Sequence, residues 1–207
     1  MAATVEFLKA EWDALVAQSA ANETVAADYF KKVIAAYSEP HRTYHTTKHL
    51  QQVIQLLREA AIDDPTVYWA SFYHDYVYRP GASDNEALSA TLAANQLAHM
   101  NVDKNIIERV SSLIIATKNH SISSNDKSGS AFLDADMAIL GVSSDEYAEY
   151  KNAVRTEFSK TPAFLFNIGR KNFLKNVAAQ KRIFITDWFF DKFEERARIN
   201  IQREIEQ

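Results

Sequence analysis

His74 and Asp75 stand side by side in an apolar stretch, Val67-Tyr-Trp-Ala-Ser-Phe-Tyr-His-Asp-Tyr-Val77. At helical spacing His74 shares its face with Val67, Ala70 and Val77, the face expected to turn toward the core. An imidazole and a carboxylate buried without partners would be costly. A shared metal ion satisfies both, whereas a core histidine bonded to a carbonyl is the plainer alternative. Further ligands in similar settings shift the balance toward metal. His49 closes the run Tyr44-His-Thr-Thr-Lys-His49 and has Val53 and Leu56 on its face. Asp136, within Leu133-Asp-Ala-Asp-Met137, has Phe132, Leu133, Ile139 and Leu140 as helical neighbours. It is therefore expected to be buried and in need of neutralisation. Asp134, beside Ser130, Ala131, Met137 and Ala138, reads as the more open carboxylate, with a supporting or capping role. His49, His74, Asp75 and Asp136 together offer two imidazoles and two carboxylates to one divalent ion, with water completing an open site.

The elements that must carry these residues are helices. The chain has only 4 Gly and 4 Pro among 207 residues, where the two together average about 12 %. Such scarcity argues for long helices and few turns. About ten helices are expected, beginning with 5–20 and 24–38, the second closed by Pro40. A polar stretch from His41 leads into 47–60, which faces inward through Leu50, Val53, Ile54 and Leu57. Pro65 opens the next helix, which carries His74 and Asp75 in its interior and ends at Arg79-Pro80-Gly81. Helices over 84–100 and 103–118 follow. The stretch 121–130, Ser-Ile-Ser-Ser-Asn-Asp-Lys-Ser-Gly-Ser, reads as a loop and a candidate lid. A helix over 131–140 stops at Gly141, and Ser143 with Glu146 forms a capping box for 143–159. Thr161-Pro162 starts another helix, and the last begins near 187. The expectation is a single all-α domain over 1–207, with a metal core at about 41–141 and a C-terminal helical extension over 143–207.

Composition narrows the chemistry. Twelve Phe, nine Tyr and three Trp supply a large core, and the net charge is −4. Acidic and basic residues are well mixed, so no nucleic-acid partner is expected. The absence of cysteine excludes disulfides and thiolate sites, leaving imidazole and carboxylate to hold Mn, Mg, Co, Ni, Zn or Fe. The N-terminal stretch reads as an amphipathic helix and not a signal peptide. No apolar run reaches spanning length. The expectation is a cytoplasmic protein with no membrane partner, its oligomeric state open and a homodimer included.

The order His49, His74-Asp75, Asp136 on successive helices resembles the HD superfamily of metal-dependent phosphohydrolases. The surrounding words, Arg42-Thr-Tyr-His-Thr-Thr-Lys-His49, Phe72-Tyr-His-Asp-Tyr-Val-Tyr78, Asp84-Asn-Glu-Ala-Leu-Ser-Ala90, Ala116-Thr-Lys-Asn-His120 and Leu133-Asp-Ala-Asp-Met-Ala-Ile-Leu-Gly141, are similar to those of small stand-alone bacterial HD proteins. The likeness continues through Tyr147–Phe158 and Phe193–Asn200. That group commonly has Asn where this chain has Thr46. The resemblance implies an all-helical HD fold, one divalent ion and phosphoester hydrolysis, without naming a substrate.

Supporting residues follow. Glu86 lies one turn before Ser89 and Ala90, small residues that leave room beside a ligand. HD enzymes often place a proton-handling acid at this distance from the His-Asp pair. A first-turn glutamate favoured by the helix dipole is the bland alternative. Lys118 and His120, ending their helix beside the loop, and Arg42 and His45, flanking the first ligand segment, are candidate phosphate contacts. His99 reads as a helix-end residue and His41 as a loop residue. Dinuclear HD proteins supply extra histidines between Asp75 and Asp136, where this chain has only His99 and His120, which favours a mononuclear site. The expected function is hydrolysis of a small phosphorylated compound, a nucleotide or related phosphoester, with Asp75 and Glu86 as catalytic candidates. The alternatives are a non-catalytic metal- or nucleotide-binding HD module and a dinuclear iron oxygenase, the latter disfavoured by the few histidines.

Overall fold

A computed structural model describes residues 2–123 and 125–207; Ser124, within the expected loop, lies outside the described residues. Ten α-helices and no strand occur among them: α1 (Ala2–Gln18), α2 (Glu23–Ala36), α3 (Thr47–Glu59), α4 (Pro65–Tyr73), α5 (Asn85–His99), α6 (Lys104–Ala116), α7 (Lys127–Met137), α8 (Ser144–Glu157), α9 (Ala163–Ala178) and α10 (Asp187–Glu206). A 3₁₀ turn, Ala138–Gly141, joins α7 to α8. The all-α expectation holds, and the helices form one compact domain.

α4 is the axis of the fold. Every residue from Val67 to Tyr73 is buried, as expected for a helix that is apolar all round, and α1, α3, α5, α6 and α7 all pack on it. Trp12 of α1 meets Trp69 and Phe72 edge-on, with ring centroids 5.0 and 5.1 Å apart, a favoured aromatic geometry. Asp64 caps α4 through the Thr66 amide and also accepts from Ser128 at the start of α7. One carboxylate thereby ties α4 and α7 together.

Two expected element bounds are corrected. α4 does not continue to Arg79; it ends at Tyr73, and His74 is its closing residue. Its last groups find partners outside the helix. The Asp75 amide donates to the Tyr37 hydroxyl, and the Arg42 guanidinium donates to the Asp75 and Tyr76 carbonyls at 2.6 and 3.0 Å. A cation at a helix C-terminus is favourable, and here it replaces the glycine that usually makes such a turn. The expected lid is also shorter than 121–130, because α7 starts at Lys127, with Asp126 accepting from the Gly129 amide at 2.9 Å. Gly129 and Ser130 are buried. A Cβ on Gly129 would come within 2.5 Å of Ile122 Cδ1, so this glycine serves close packing and not mobility.

The C-terminal part closes on the core through the 3₁₀ turn. A Cβ on Gly141 would lie 2.5 Å from the Phe193 carbonyl oxygen, and Asn200 donates to the Leu140 and Val142 carbonyls at 3.0 Å each. The segment before α10 is held by two carboxylates. Glu194 accepts from the amides of Ile183 and Phe184, and Asp134 from those of Ile185 and Thr186 at 2.7 and 2.8 Å. Asp134 is thus deeply buried, with 2 % exposure, not the open residue that periodicity suggested. Burial raises its pKa above the ordinary carboxylate value, against the pull of those amides. Its capping role is as expected, though for a distant segment. Asp134→Ala would leave two amides without acceptors and is expected to destabilise the fold by about 2–4 kcal/mol. Urea denaturation checks this; a loss under about 1 kcal/mol would contradict the assignment.

Candidate metal centre

α3, the end of α4 and α7 bring three of the expected ligands to one point. His49 Nε2 lies 3.3 Å from His74 Nε2 and 3.2 Å from Asp136 Oδ1, and His74 Nε2 lies 3.6 Å from the same oxygen. Both imidazoles are 3 % exposed. Asp75 stands beside the trio, its Oδ2 3.2 Å from His74 Nε2 and 3.8 Å from His49 Nε2. His74 closes α4 with helical backbone angles, φ −58° and ψ −40°, and Asp75 follows it directly.

His74 Nδ1 donates to the Ser71 carbonyl at 2.8 Å. A carbonyl only accepts, so Nε2 is the nitrogen that faces the other ligands. This is the second hydrogen bond that metal-binding histidines usually make. Bonds of about 2.1 Å to one ion would separate its ligand atoms by roughly 3.0–3.4 Å, and the trio is spaced at 3.2–3.6 Å. Direct hydrogen bonds would draw these atoms to about 2.7–3.0 Å. The group can therefore hold a metal ion. Two nitrogens and a carboxylate oxygen form a donor set suited to Mn, Fe, Co, Ni or Zn.

The ionisation states follow from crowding. Burial opposes charge on both carboxylates. The His74 and His45 charges outweigh it at Asp75, and hydrogen bonds from His120, His49 and His74 do so at Asp136; both are held well below the ordinary carboxylate value. Burial disfavours charge on His74 too, but Tyr37, Asp75 and Asp136 together drive its pKa well above 6.5. Tyr37 is itself pushed up to about 12 by burial, so at neutral pH it is uncharged and the carboxylates supply that pull.

The remaining expected residues divide. His120 reaches the centre: its Nε2 is 3.2 Å from Asp136 Oδ2, the oxygen turned away from the trio. It orients a candidate ligand from a left-handed backbone, φ 46°, a strained conformation for a non-glycine residue. Arg42 does not present its guanidinium for phosphate. It is buried and occupied by Glu39 and by the carbonyls of His45, Asp75 and Tyr76. Lys118 donates to the Ser83 carbonyl at 2.5 Å and lines, with His120, Met137, Phe173, Asn176 and Gln180, a cleft of about 250 Å³. Glu86 sits half-buried in the first turn of α5; no hydrogen bond or ion pair joins it to the centre among the described residues. A smaller hollow of about 160 Å³ opens between α3 and α7, bounded by Tyr44, His49, Gln52 and Ala135. His41 bonds the Tyr78 carbonyl and His99 the Tyr29 hydroxyl, both away from the trio.

Sequence reasoning missed Glu157. Its Oε1 accepts from the amides of Thr43, Tyr44 and His45 at 2.8–2.9 Å, and its Oε2 from His45 Nδ1 and the Tyr78 hydroxyl at 2.7 Å each. The polar stretch before α3 is folded around this carboxylate, and His45 Nε2 has no hydrogen-bond partner among the described residues. The signal was present, because Glu157 continues the apolar series Tyr150, Ala153, Val154 along α8. No family model, curated protein or solved structure matches the chain.

Burial alone would raise the Glu157 pKa, but the hydrogen bond and charge of His45 and the backbone amides bring it from 4.5 to about 2. A depressed carboxylate contributes stability that is full above its unfolded value and lost as pH falls through its folded one. His45 is the converse. Burial opposes its charge, but Asp75 and Glu157 raise its pKa above 6.5, so its share is full below 6.5 and fades as pH rises through the raised value. Glu157→Gln is therefore expected to cost on the order of 3 kcal/mol near pH 5–6, with the gap to wild type shrinking between about pH 4.5 and 2. Urea denaturation across that range measures it, and a gap independent of pH would contradict the pairing.

Proposed function

We propose that this protein is a metal-dependent phosphohydrolase acting on a small phosphorylated compound, a nucleotide or related phosphoester. The convergence of His49 Nε2, His74 Nε2 and Asp136 Oδ1 on one point carries this reading, and the resemblance of the same residues to the HD pattern supports it. Asp75 is assigned as the fourth ligand, and Mn, Mg, Co, Ni, Zn and Fe are the candidate ions. When bound, a divalent cation supplies a Lewis acid for a phosphoryl oxygen and favours ionisation of a nearby water.

The chain's own groups then divide the work. Asp75, ionised because its pKa is depressed, accepts a hydrogen bond from the attacking water and orients it. His45, its Nδ1–H locked on Glu157, presents Nε2. As an imidazolium it offers positive charge to the phosphoryl group and a proton to the leaving oxygen. Lys118, released from the Ser83 carbonyl, supplies a second charge from the cleft wall. His120 keeps Asp136 in register and is a positioning residue. Glu86 is assigned to proton handling from the start of α5.

Two measurements test this. Calorimetric titration of wild type with Mn²⁺ or Ni²⁺ is expected to give one site, and Asp136→Ala is expected to weaken it at least about a hundredfold. Undiminished binding in that variant would remove Asp136 from the centre. Phosphate release from a panel of nucleotides and sugar phosphates is expected from the metal-loaded protein. Glu86→Gln is expected to keep the metal and lose roughly a hundredfold in turnover. Full turnover in that variant would return Glu86 to the helix dipole, and no release from any phosphoester would sink the hydrolase reading.

A further inference from the structure

α9 is the least covered helix of the fold. Of its 16 residues only Leu174 and Val177 are buried, while Phe164, Leu165 and Ile168 are 65, 50 and 57 % exposed. Phe164, Ile168, Lys171 and Lys175 follow one another at intervals of four, three and four. They form one outward strip, apolar in its first half and basic in its second. Scattered exposed apolar residues are ordinary, but a cluster on one helix marks a contact surface.

Charge identifies what it contacts. The protein as a whole carries −4, yet from Ser159 to Thr186 it has six basic residues and no Asp or Glu. Arg170 is taken up by Glu204 and Arg182 by Asp187. Lys160, Lys171, Lys175 and Lys181 are exposed and make no ion pair among the described residues. A second copy fits this face poorly. Pairing would gather eight exposed lysines, four from each copy, with no carboxylate from this stretch between them. Ile168 and Lys171 also border a cleft of about 430 Å³ between α8 and α9, and the lysines of this face have long apolar stems that can lie beside phenylalanine while their charges reach outward. An apolar strip bordered by unpaired lysines matches a planar anionic surface with an apolar interior.

We propose that α9 docks this protein peripherally on membranes rich in anionic lipid, with Phe164, Leu165 and Ile168 entering the headgroup boundary and Lys171 and Lys175 meeting lipid phosphates. The proposal is independent of the hydrolase reading, and it needs no spanning segment: no helix of the structure is long and apolar enough to cross a membrane. Phe173 and Asn176 of this helix also line the cleft that His120 borders, so docking would bring a wall of that cleft close to the lipid.

Co-sedimentation of the full-length protein with large vesicles is the test. With about 40 % phosphatidylglycerol in phosphatidylcholine the protein is expected to sediment at about 0.1 M salt and to be released at about 0.5 M. Phosphatidylcholine alone should leave it in solution. Each lysine near such a surface contributes roughly fivefold, so Lys171→Ala with Lys175→Ala is expected to weaken binding about 25-fold. Phe164→Ser with Ile168→Ser is expected to weaken it tenfold or more with an unchanged thermal midpoint. Ile199→Ser, which alters an exposed apolar residue on α10, should bind as wild type does. Wild-type protein left in solution with anionic vesicles would overturn the proposal, as would either double variant sedimenting undiminished. A concentration-dependent dimer split by Phe164→Ser and Ile168→Ser would also overturn it and give the face to a second copy.

Discussion

Two imidazole nitrogens held 3.3 Å apart, each almost without solvent and both facing one carboxylate oxygen, need a proton or a cation between them. With His74 Nδ1–H committed to the Ser71 carbonyl, the neutral ring turns a lone pair toward His49. Either His49 carries its proton on Nε2 and donates it to that lone pair, or two lone pairs face each other and a cation must lie between them. A proton can fill that role, and the raised His74 pKa reflects its attraction to the position. A divalent cation fills it better, because it engages both nitrogens and the oxygen together at spacings the protein already provides. The carboxylates around it then cease to be a liability and become what draws the ion in.

The frame that enforces this crowding is built with buried carboxylates where other folds use glycine and proline. Glu157 gathers three consecutive amides ahead of α3. Glu194 and Asp134 divide four consecutive amides ahead of α10. Arg42 does the converse at the end of α4, taking up carbonyls. Each device fixes an irregular segment by charge-assisted hydrogen bonds, stronger than neutral ones and intolerant of an absent partner. A chain with 4 Gly and 4 Pro thereby makes sharp turns at the places where the site is assembled.

How legible this was depended on whether a residue's partner lay on its own helix. The helices, the capping box at Ser143 and the inward faces of His49 and His74 follow from local spacing. Helical periodicity distinguishes Asp136 from Asp134 for the wrong reason. It ranks Asp136 as the more buried, whereas its side chain is 16 % exposed and Asp134 is the enclosed one. Asp134 is covered by residues 183–186, about fifty positions away, which no local pattern can reveal. The end of α4 was obscured likewise, because its terminating partners, Tyr37 and Arg42, precede it by more than thirty residues. Residues 127–130 looked like loop by composition, yet Gly129 is there to let Ile122 approach. Glu157 could have been found by the argument used for Asp136, a carboxylate continuing an apolar series, had it been applied to α8.

Crystals grown with Mn²⁺ and examined by anomalous scattering test the central claim most directly. One strong peak is expected within about 2.3 Å of His49 Nε2, His74 Nε2 and Asp136 Oδ1, with Ser71 still accepting from His74 Nδ1. A peak elsewhere would contradict the account. So would its absence, with the two imidazoles and Asp136 drawn into direct hydrogen bonds of about 2.8 Å.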